Sequence, residues 1–275
     1  MRASLLQIDV NQQESVESRR ERVAALVRAQ SDADLVVLPE LWHVGAFAYE
    51  SFTDHAEPVP TADGAESALG PTSEAMAAAA ADARVWLHAG SIVEKAPDGT
   101  LYNTSLVFGP DGAFHRSYRK IHRFGFDKGE AVMMGAGDEI VTVGVPDTVI
   151  GLATCYDLRF PELFRRLTMA GAELLVIPAG WPARRREHWT LLSRARAVEN
   201  QAYVLACCSA GTHSGVEQAG HSLVVDPWGE VLAEGGTGEE VLTVQLDPKR
   251  VARTREDFPA QRDRMLGLPD PDRRP

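Results

Sequence analysis

Three polar residues, Glu40, Lys120 and Cys155, stand where segments typical of β-strands end. A carboxylate, a cation and a thiol are the groups that attack by a sulfur nucleophile requires, since a base takes the thiol proton and a cation stabilises the oxyanion. α/β proteins place such groups at strand ends, because strand termini are rigid while the loops that follow are free to vary. The first hypothesis is therefore nucleophilic catalysis by a cysteine.

The strongest signal is the segment Gly-Leu-Ala-Thr-Cys-Tyr-Asp-Leu-Arg-Phe-Pro-Glu, which ends at Glu162. It predicts a strand that runs to Cys155, a turn, and a helix that begins near Pro161, where proline is tolerated in the first turn. A thiol on such a turn lies near backbone N–H groups and a helix N-terminus, which favour the thiolate. A free cysteine is as often a small core residue at the end of a buried strand, so this segment alone leaves both interpretations open.

Glu40 follows the apolar run Leu-Val-Val-Leu-Pro and precedes Leu-Trp-His. A carboxylate directly after a buried strand is poorly solvated, which suits a general base, and the alternative is a surface glutamate. Lys120 lies in a basic stretch at residues 114–122, where strand alternation puts it on the same side as Tyr118. A cation on that face would stabilise an oxyanion and lower the pKa of a thiol, and the alternative is a basic exposed strand.

The elements that must position these residues alternate along the chain. Helical spacing of apolar residues predicts helices at residues 16–30, 71–83 with Ser73 as N-cap, 161–170 and 186–200. Strands are predicted at residues 5–10, 35–38, 85–93, 104–108, 149–154, 174–177, 203–208, 221–225, 231–234 and 241–245. Turns are predicted at residues 110–112 and 226–229. The two halves share this rhythm, which predicts an α/β protein with two sheets face to face and helices outside.

Composition narrows the function classes. The chain has 275 residues and a formal net charge of −11, which argues against general affinity for nucleic acids or anionic membranes. We predict one domain at residues 1–265 and a disordered, Pro- and Asp-rich tail at residues 266–275. The N-terminus reads as a strand and not as a signal peptide. The three cysteines, of which Cys207 and Cys208 are adjacent, do not form a disulfide pattern, so a cytoplasmic location is expected.

The motifs Pro39-Glu-Leu-Trp, Tyr118-Arg-Lys-Ile-His and Cys155-Tyr-Asp-Leu-Arg-Phe-Pro-Glu together resemble the nitrilase superfamily of carbon–nitrogen hydrolases. The resemblance continues through the segments at residues 178–182, 188–189, 194–200 and 220–229, and covers the chain from about residue 2 to residue 258. It implies a four-layer α-β-β-α sandwich that dimerises through helices. It also implies a Glu-Lys-Cys triad at Glu40, Lys120 and Cys155, without a metal or a cofactor.

In the chemistry that this resemblance implies, Glu40 takes the thiol proton while Cys155 attacks an amide carbonyl. The oxyanion would be held by Lys120 and by the backbone N–H of Tyr156. A second glutamate that positions the substrate would fall at Glu130. The alternative for Glu130 is a solvated loop acid, because the loop around it departs most from the family motifs.

Among members of the superfamily, the segments at residues 180–184, 194–203 and 255–259 are most similar to the ω-amidases. Those enzymes hydrolyse the terminal amide of 2-oxoglutaramate or 2-oxosuccinamate and release ammonia. A substrate with a carboxylate needs a local cation, and a bidentate arginine suits it best.

Two arginines are candidates for the carboxylate, Arg184 and Arg159. For Arg159, we expect an ion pair with a neighbouring acid, Asp157 or Glu162, rather than contact with the substrate carboxylate. Trp181 is predicted to line the pocket, and a packing role is the alternative.

Other functions remain as alternatives. Within the family these are amidases for other small aliphatic amides, N-carbamoyl amino acid hydrolases, and amidases acting on deaminated glutathione. A true nitrilase is disfavoured, because the residues after Cys155 do not resemble the Trp-Glu pair of that type. Scattered histidines without a His-Glu-x-x-His motif disfavour a metalloenzyme. The presence of all three candidate catalytic residues disfavours a catalytically silent scaffold. The expected partners are a small amide and further copies of the chain in a homodimer or higher homo-oligomer.

Overall fold

Two six-stranded sheets form the centre of the computed structural model, which describes residues 1–60 and 69–265. The first sheet contains, in spatial order, β14 (Glu240–Gln245), β1 (Arg2–Gln7), β2 (Leu35–Val37), β3 (Trp86–Lys95), β4 (Leu101–Phe108) and β5 (Phe114–Arg119). The second contains β13 (Val231–Glu234), β12 (Leu223–Val225), β9 (Tyr203–Cys208), β8 (Leu174–Ala179), β7 (Thr148–Leu152) and β6 (Thr142–Val145). A short hairpin is formed by β10 (Thr212–His213) and β11 (Val216–Glu217).

The two sheets share one strand arrangement. In the first, β1, β2 and β3 are parallel neighbours, with Leu5 opposite Val37 and Val37 opposite His88. In the second, β7, β8 and β9 are parallel, with Leu152 opposite Val176. The outer pairs of both sheets are antiparallel. Parallel strands are buried on both faces, which explains why β2 and β8 are almost continuously apolar in sequence.

Helices cover the outer face of each sheet. The helices are α1 (Val16–Arg28), α2 (Pro71–Ala83), α3 (Glu130–Met133), α4 (Pro161–Met169), α5 (Arg186–Asn200) and α6 (Lys249–Asp257). One cluster of buried side chains joins α1 and α2 to the first sheet, and a second joins α4 and α5 to the second sheet. A third cluster lies between the sheets, with Leu5, Val37, Val176 and Leu205 among its members. The result is the four-layer α-β-β-α sandwich that was predicted.

The start of α2 shows one error of the sequence interpretation. The helix begins at Pro71 as predicted, but Gly70 and not Ser73 occupies the N-cap position. The carboxylate of Glu57 accepts hydrogen bonds from the backbone N–H of Thr72 at 2.9 Å and of Ser73 at 3.4 Å. A carboxylate from a distant loop thus satisfies the free N–H groups and complements the helix dipole, which a local sequence pattern does not reveal.

Two further features of the chain are its C-terminal tail and its lack of apolar helices of membrane-spanning length in the described residues. The tail predicted to be disordered at residues 266–275 lies outside the described residues. Within the part of the chain that the structure describes, no helix has the length and apolar character needed to cross a membrane.

Candidate active site

Cys155 is held on a strained turn between β7 and α4. It is the first residue of a 3₁₀ helix, Cys155–Arg159, and its φ of +47° lies in the left-handed region that side-chain-bearing residues seldom adopt. Such a conformation costs on the order of 1–3 kcal/mol and needs support from its surroundings. Here Thr154 and Asp157 form a capping box, in which the Asp157 carboxylate accepts from the Thr154 N–H at 2.8 Å. The turn is therefore fixed by its own sequence.

Asp157 also binds the segment that carries Lys120. The hydroxyl of Tyr118 donates to Asp157 at 2.7 Å, and the backbone N–H of His122 donates at 3.0 Å. The side chain of Asp157 is completely buried. Because Tyr118 and His122 flank Lys120, one buried carboxylate joins the turn that carries Cys155 to the end of β5.

Glu40 lies three residues after β2 and is 1% exposed. Its Oε1 accepts from Lys120 Nζ at 2.7 Å and from Asn103 Nδ2 at 2.8 Å. Its Oε2 accepts a hydrogen bond at 2.8 Å from the backbone N–H of Gly180, the residue that directly follows β8. Three donors from different elements thus fix both carboxylate oxygens, and the surface-glutamate interpretation is wrong.

Lys120 lies between two carboxylates. Its Nζ is 2.7 Å from Glu40 Oε1 and 2.7 Å from Glu130 Oε2. Burial alone would lower the pKa of Lys120, but the Glu130 and Glu40 carboxylates raise this pKa well above its ordinary value. Lys120 is therefore a buried, permanently charged cation and not a residue of an exposed basic strand.

Glu130 is buried at the start of α3 and is not a solvated loop acid. Besides Lys120, it accepts from Asn103 Nδ2 at 2.5 Å and from the backbone N–H of Phe124 at 2.9 Å. Burial raises the pKa of Glu130, and the Lys120 cation opposes that rise. The amide group of Asn103 consequently bridges Glu40 and Glu130: it shares Glu40 Oε1 with Lys120 and binds the Glu130 oxygen that Lys120 does not.

The thiol of Cys155 is neutral at rest. Burial raises its pKa well above the ordinary value and the Glu40 carboxylate raises it further, while Lys120 lowers it. Burial and the adjacent Glu40 carboxylate thus oppose the thiolate that the turn is expected to favour, and the Lys120 cation supports it. A base is needed to remove the proton during attack.

These four groups open onto one small cavity, with about 380 Å³ of space between its lining atoms when the open mouth is included. Its polar members include Glu40, Lys120, Glu130 and Cys155. The convergence predicted for Glu40, Lys120 and Cys155 is thus present, although they are 80 and 35 positions apart along the chain (120 − 40 and 155 − 120). Among residues 1–60 and 69–265, no group of three or more His, Cys, Asp or Glu side chains could hold a metal ion.

The structure separates the residues predicted to contact substrate. Tyr156 and Trp181 line the cavity together with Glu40, Lys120 and Cys155. Arg184 does not: it is exposed and borders an adjoining outer groove. The arginines that line the cavity are Arg159 and Arg185.

The expectation that Arg159 forms an ion pair with Asp157 or Glu162 is wrong. Asp157 is occupied by the hydrogen bonds described above, and within the described chain Arg159 has no ion pair with Glu162 or another acid. Its guanidinium lies 4.9 Å from the centre of the Trp181 ring, and Nη2 is 3.2 Å from His188 Nδ1. Its charge is therefore available to the cavity.

Two functional residues were missed by sequence interpretation. Asn103 stands one position before the predicted strand at residues 104–108, and a polar residue there carries no distinctive signal. Arg185 is the middle of three consecutive arginines, in a 3₁₀ turn at Ala183–Arg185. Consecutive residues of a 3₁₀ helix point about 120° apart, so only the exact phase of the turn decides which arginine faces the cavity.

Comparison with known proteins is consistent with this geometry. The carbon–nitrogen hydrolase family matches residues 2–256. The 2-oxoglutaramate amidase of Paenarthrobacter nicotinovorans is 39% identical over 273 residues, which cover 96% of this chain and 89% of that protein. The human omega-amidase NIT2 is 35% identical, with 97% of this chain and 96% of that protein covered. The crystal structure of Saccharomyces cerevisiae Nit3, a member of branch 10 of the nitrilase superfamily, superimposes with a TM-score of 0.87 at 30% identity and 97% coverage of both chains.

Proposed function

The chain belongs to the carbon–nitrogen hydrolase family and is an amidase, and on that premise we propose that Cys155 is its nucleophile, Glu40 its general base and Lys120 its oxyanion-stabilising cation. The observation that carries this proposal is the meeting of these three buried side chains at one small cavity. A scaffold without activity would have no need of a buried carboxylate–lysine pair beside a strained cysteine, which costs stability.

In the first step, the sulfur of Cys155 forms a bond to the amide carbonyl carbon, and the thiol proton passes to Glu40. The neutral resting thiol makes this base necessary. The carbonyl oxygen becomes an oxyanion, held by the Lys120 ammonium and the backbone N–H of Tyr156. As Glu40 is neutralised, the negative charge moves to the oxyanion, so Lys120 exchanges one anionic partner for another while Glu130 keeps it in place.

In the second step, the C–N bond breaks. Glu40 returns its proton to the leaving nitrogen, which departs as ammonia, and the acyl group remains on Cys155 as a thioester. Glu40 then removes a proton from a water molecule, whose oxygen attacks the thioester carbonyl through a second oxyanion. The C–S bond breaks, the thiolate recovers its proton from Glu40, and the carboxylic acid product leaves and loses its own proton to water.

The substrate that we propose is a small amide whose other end carries a carboxylate, namely the ω-amide of a 2-oxo dicarboxylic acid. The relatives named 2-oxoglutaramate amidase and omega-amidase support this choice. The small volume of the cavity and the Arg159 cation on its wall also suit a short anionic amide. Amides without a carboxylate and N-carbamoyl amino acids are the competing substrate classes.

We further propose that the protein is cytoplasmic and forms a homodimer or higher homo-oligomer. We also propose that it does not act on nucleic acids or membranes. Three unpaired, buried cysteines suit a reducing compartment. On α5, Leu191 is 66% exposed and Val198 is 52% exposed, and these apolar side chains suit burial against a second copy. The net charge of −11 disfavours binding to anionic polymers and lipids.

The test is ammonia release from 2-oxoglutaramate, glutamine, pentanamide and an N-carbamoyl amino acid, with Cys155→Ala as control. We expect 2-oxoglutaramate to have the highest kcat/KM and Cys155→Ala to have no measurable turnover. Brief reaction followed by acid quench and mass spectrometry should show the acyl mass on the peptide that contains Cys155. An active Cys155→Ala protein would refute the proposed nucleophile, whereas a preference for pentanamide would refute only the substrate class.

A further inference from the structure

Of three consecutive arginines, only the middle one lines the catalytic cavity. Arg184 is exposed at the outer groove, and Arg186 forms an ion pair with Glu234 at 3.1 Å. Arg185 closes the 3₁₀ turn and borders the same cavity as Cys155. The fold therefore places Arg185 at the cavity, although its two arginine neighbours are chemically identical to it.

The charge of Arg185 is held without an acid. Within residues 1–60 and 69–265 it forms no ion pair, and its guanidinium lies 5.2 Å from the centre of the Phe124 ring. Its backbone carbonyl accepts a hydrogen bond from Trp181 Nε1 at 2.8 Å, which fixes the turn against the cavity wall. Trp181 in turn lies beneath the guanidinium of Arg159 at 4.9 Å. Aromatic faces thus support two arginines, and apart from the contact of Arg159 Nη2 with His188 Nδ1 at 3.2 Å their guanidinium N–H groups form no hydrogen bond within the described residues.

Two unpaired cations on one cavity repel each other. Burial lowers the pKa of Arg185, and the positive charges of Arg184 and Arg159 lower it further. Such an arrangement is relieved by an anion bound between the cations, and the planar forks of two guanidinium groups match the oxygens of a carboxylate. At the other polar part of the cavity, the single Lys120 cation lies between the Glu40 and Glu130 carboxylates, which leaves an excess of negative charge, so the anion has no comparable site there.

We propose that Arg185 is a specificity-determining residue that, with Arg159, clamps the carboxylate end of the substrate while the amide end meets Cys155. This inference rests on the proposed function and deepens it. The three oxygens of a 2-oxo carboxylate give the clamp more acceptors than a simple carboxylate does. An amide that lacks any anionic end gains nothing from the clamp.

The experiment compares 2-oxoglutaramate with pentanamide, a neutral amide of the same chain length, in wild type and in Arg185→Gln. Loss of a charged hydrogen-bond donor should lower the ratio of kcat/KM values, 2-oxoglutaramate over pentanamide, by about 10- to 100-fold, mainly through KM. Arg185→Lys should fall between the two, because it keeps the charge and loses the fork. Arg186→Gln is the matched control and should leave the ratio within about twofold of wild type.

Binding is measured separately in the Cys155→Ala background, where titration calorimetry with 2-oxoglutarate reports carboxylate affinity without turnover. Adding Arg185→Gln should weaken that binding by the same factor as the KM, and circular dichroism verifies that the variant is folded. An equal loss on both substrates, an unchanged ratio, or a loss that follows Arg184→Gln instead would overturn the proposal. If wild type itself prefers pentanamide, the proposed substrate class and the clamp both fail, while the Cys155 mechanism stands.

Discussion

Tyr118 donates its hydroxyl hydrogen to the carboxylate of Asp157 across 2.7 Å, and this bond joins the two sheets beside the cavity that Lys120 and Cys155 line. Tyr118 belongs to β5 of the first sheet, whereas Asp157 follows β7 of the second. Burial raises the pKa of Tyr118 well above its ordinary value, and the neighbouring Asp157 charge raises it further. The phenol therefore stays protonated and acts as a permanent donor that holds β5, which precedes Lys120, against the turn that begins at Cys155.

Replacing Tyr118 with Phe tests this connection. We expect the free energy of unfolding to fall by about 1–3 kcal/mol, because a buried carboxylate loses one donor, and kcat to fall because Lys120 is less well placed. Urea unfolding and steady-state kinetics measure the two effects. Tyr102→Phe is the control, since the hydroxyl of Tyr102 makes no hydrogen bond within the described residues. Equal behaviour of the two variants would contradict the role of the Tyr118 hydroxyl.

Replacing Asn103 with Asp removes the amide donor that bridges Glu40 and Glu130 but keeps the shape of the side chain. A third carboxylate within hydrogen-bonding distance of two others can remain only if a proton is shared among them. We expect kcat/KM at neutral pH to fall by about 100-fold or more, and the fall to be smaller at acidic pH. The pH profile measures this, with Asn11→Asp as an exposed control. A uniform loss at every pH would indicate a purely structural role.

Replacing Glu40 with Gln should affect turnover and thiol acidity in opposite ways. Turnover should be lost with the base, yet the pKa of Cys155 should fall, because the Glu40 charge is one of the causes that raise it. The rate of alkylation by iodoacetamide as a function of pH reports the midpoint, and mass spectrometry assigns it to Cys155. We expect the midpoint to move to lower pH in Glu40→Gln and to stay in place in Glu74→Gln, an exposed site. A midpoint that rises would contradict this electrostatic account.

Stability should decrease in mildly alkaline solution. Burial raises the pKa of Cys208 to about 12 and raises the pKa of Cys207 and Cys155 well above their ordinary values. The folded protein then keeps protons that the unfolded chain releases above about pH 8.5, so this stabilisation is present below that pH and is lost as pH rises further. Each cysteine contributes a slope that approaches roughly −1.4 kcal/mol per pH unit.

Urea unfolding under reducing conditions between about pH 8 and pH 10 measures that slope. Cys208→Ala should make the slope less steep by one cysteine's contribution. The truncated side chain also lowers the free energy of unfolding by leaving a cavity, but that loss is the same at every pH and does not change the slope. Identical slopes for wild type and Cys208→Ala would refute the linkage.

Local sequence determined most of the elements. The helix at 186–200 and the strands at 203–208 and 231–234 have the predicted bounds. Ser209 and Gly235, which directly follow the two strands, are residues typical of turns and loops. In contrast, β6 and α6 were missed. The strand β6 is a four-residue edge strand that contains Gly144, and α6 buries only Val251 and Thr254, so neither has a clear apolar pattern.

The sequence by itself determined which groups are available for chemistry: a carboxylate, a cation and a thiol at strand ends, in motifs that resemble one family. Tertiary structure decided their states, because pKa values depend on burial and on charges that are distant in sequence. Cys155 is a neutral thiol because burial raises its pKa and the Glu40 carboxylate raises it further, and Lys120 keeps its charge because two carboxylates enclose it. Tertiary structure also turned Arg185 rather than Arg184 to the cavity, since the phase of a short turn is set by packing and not by residue type.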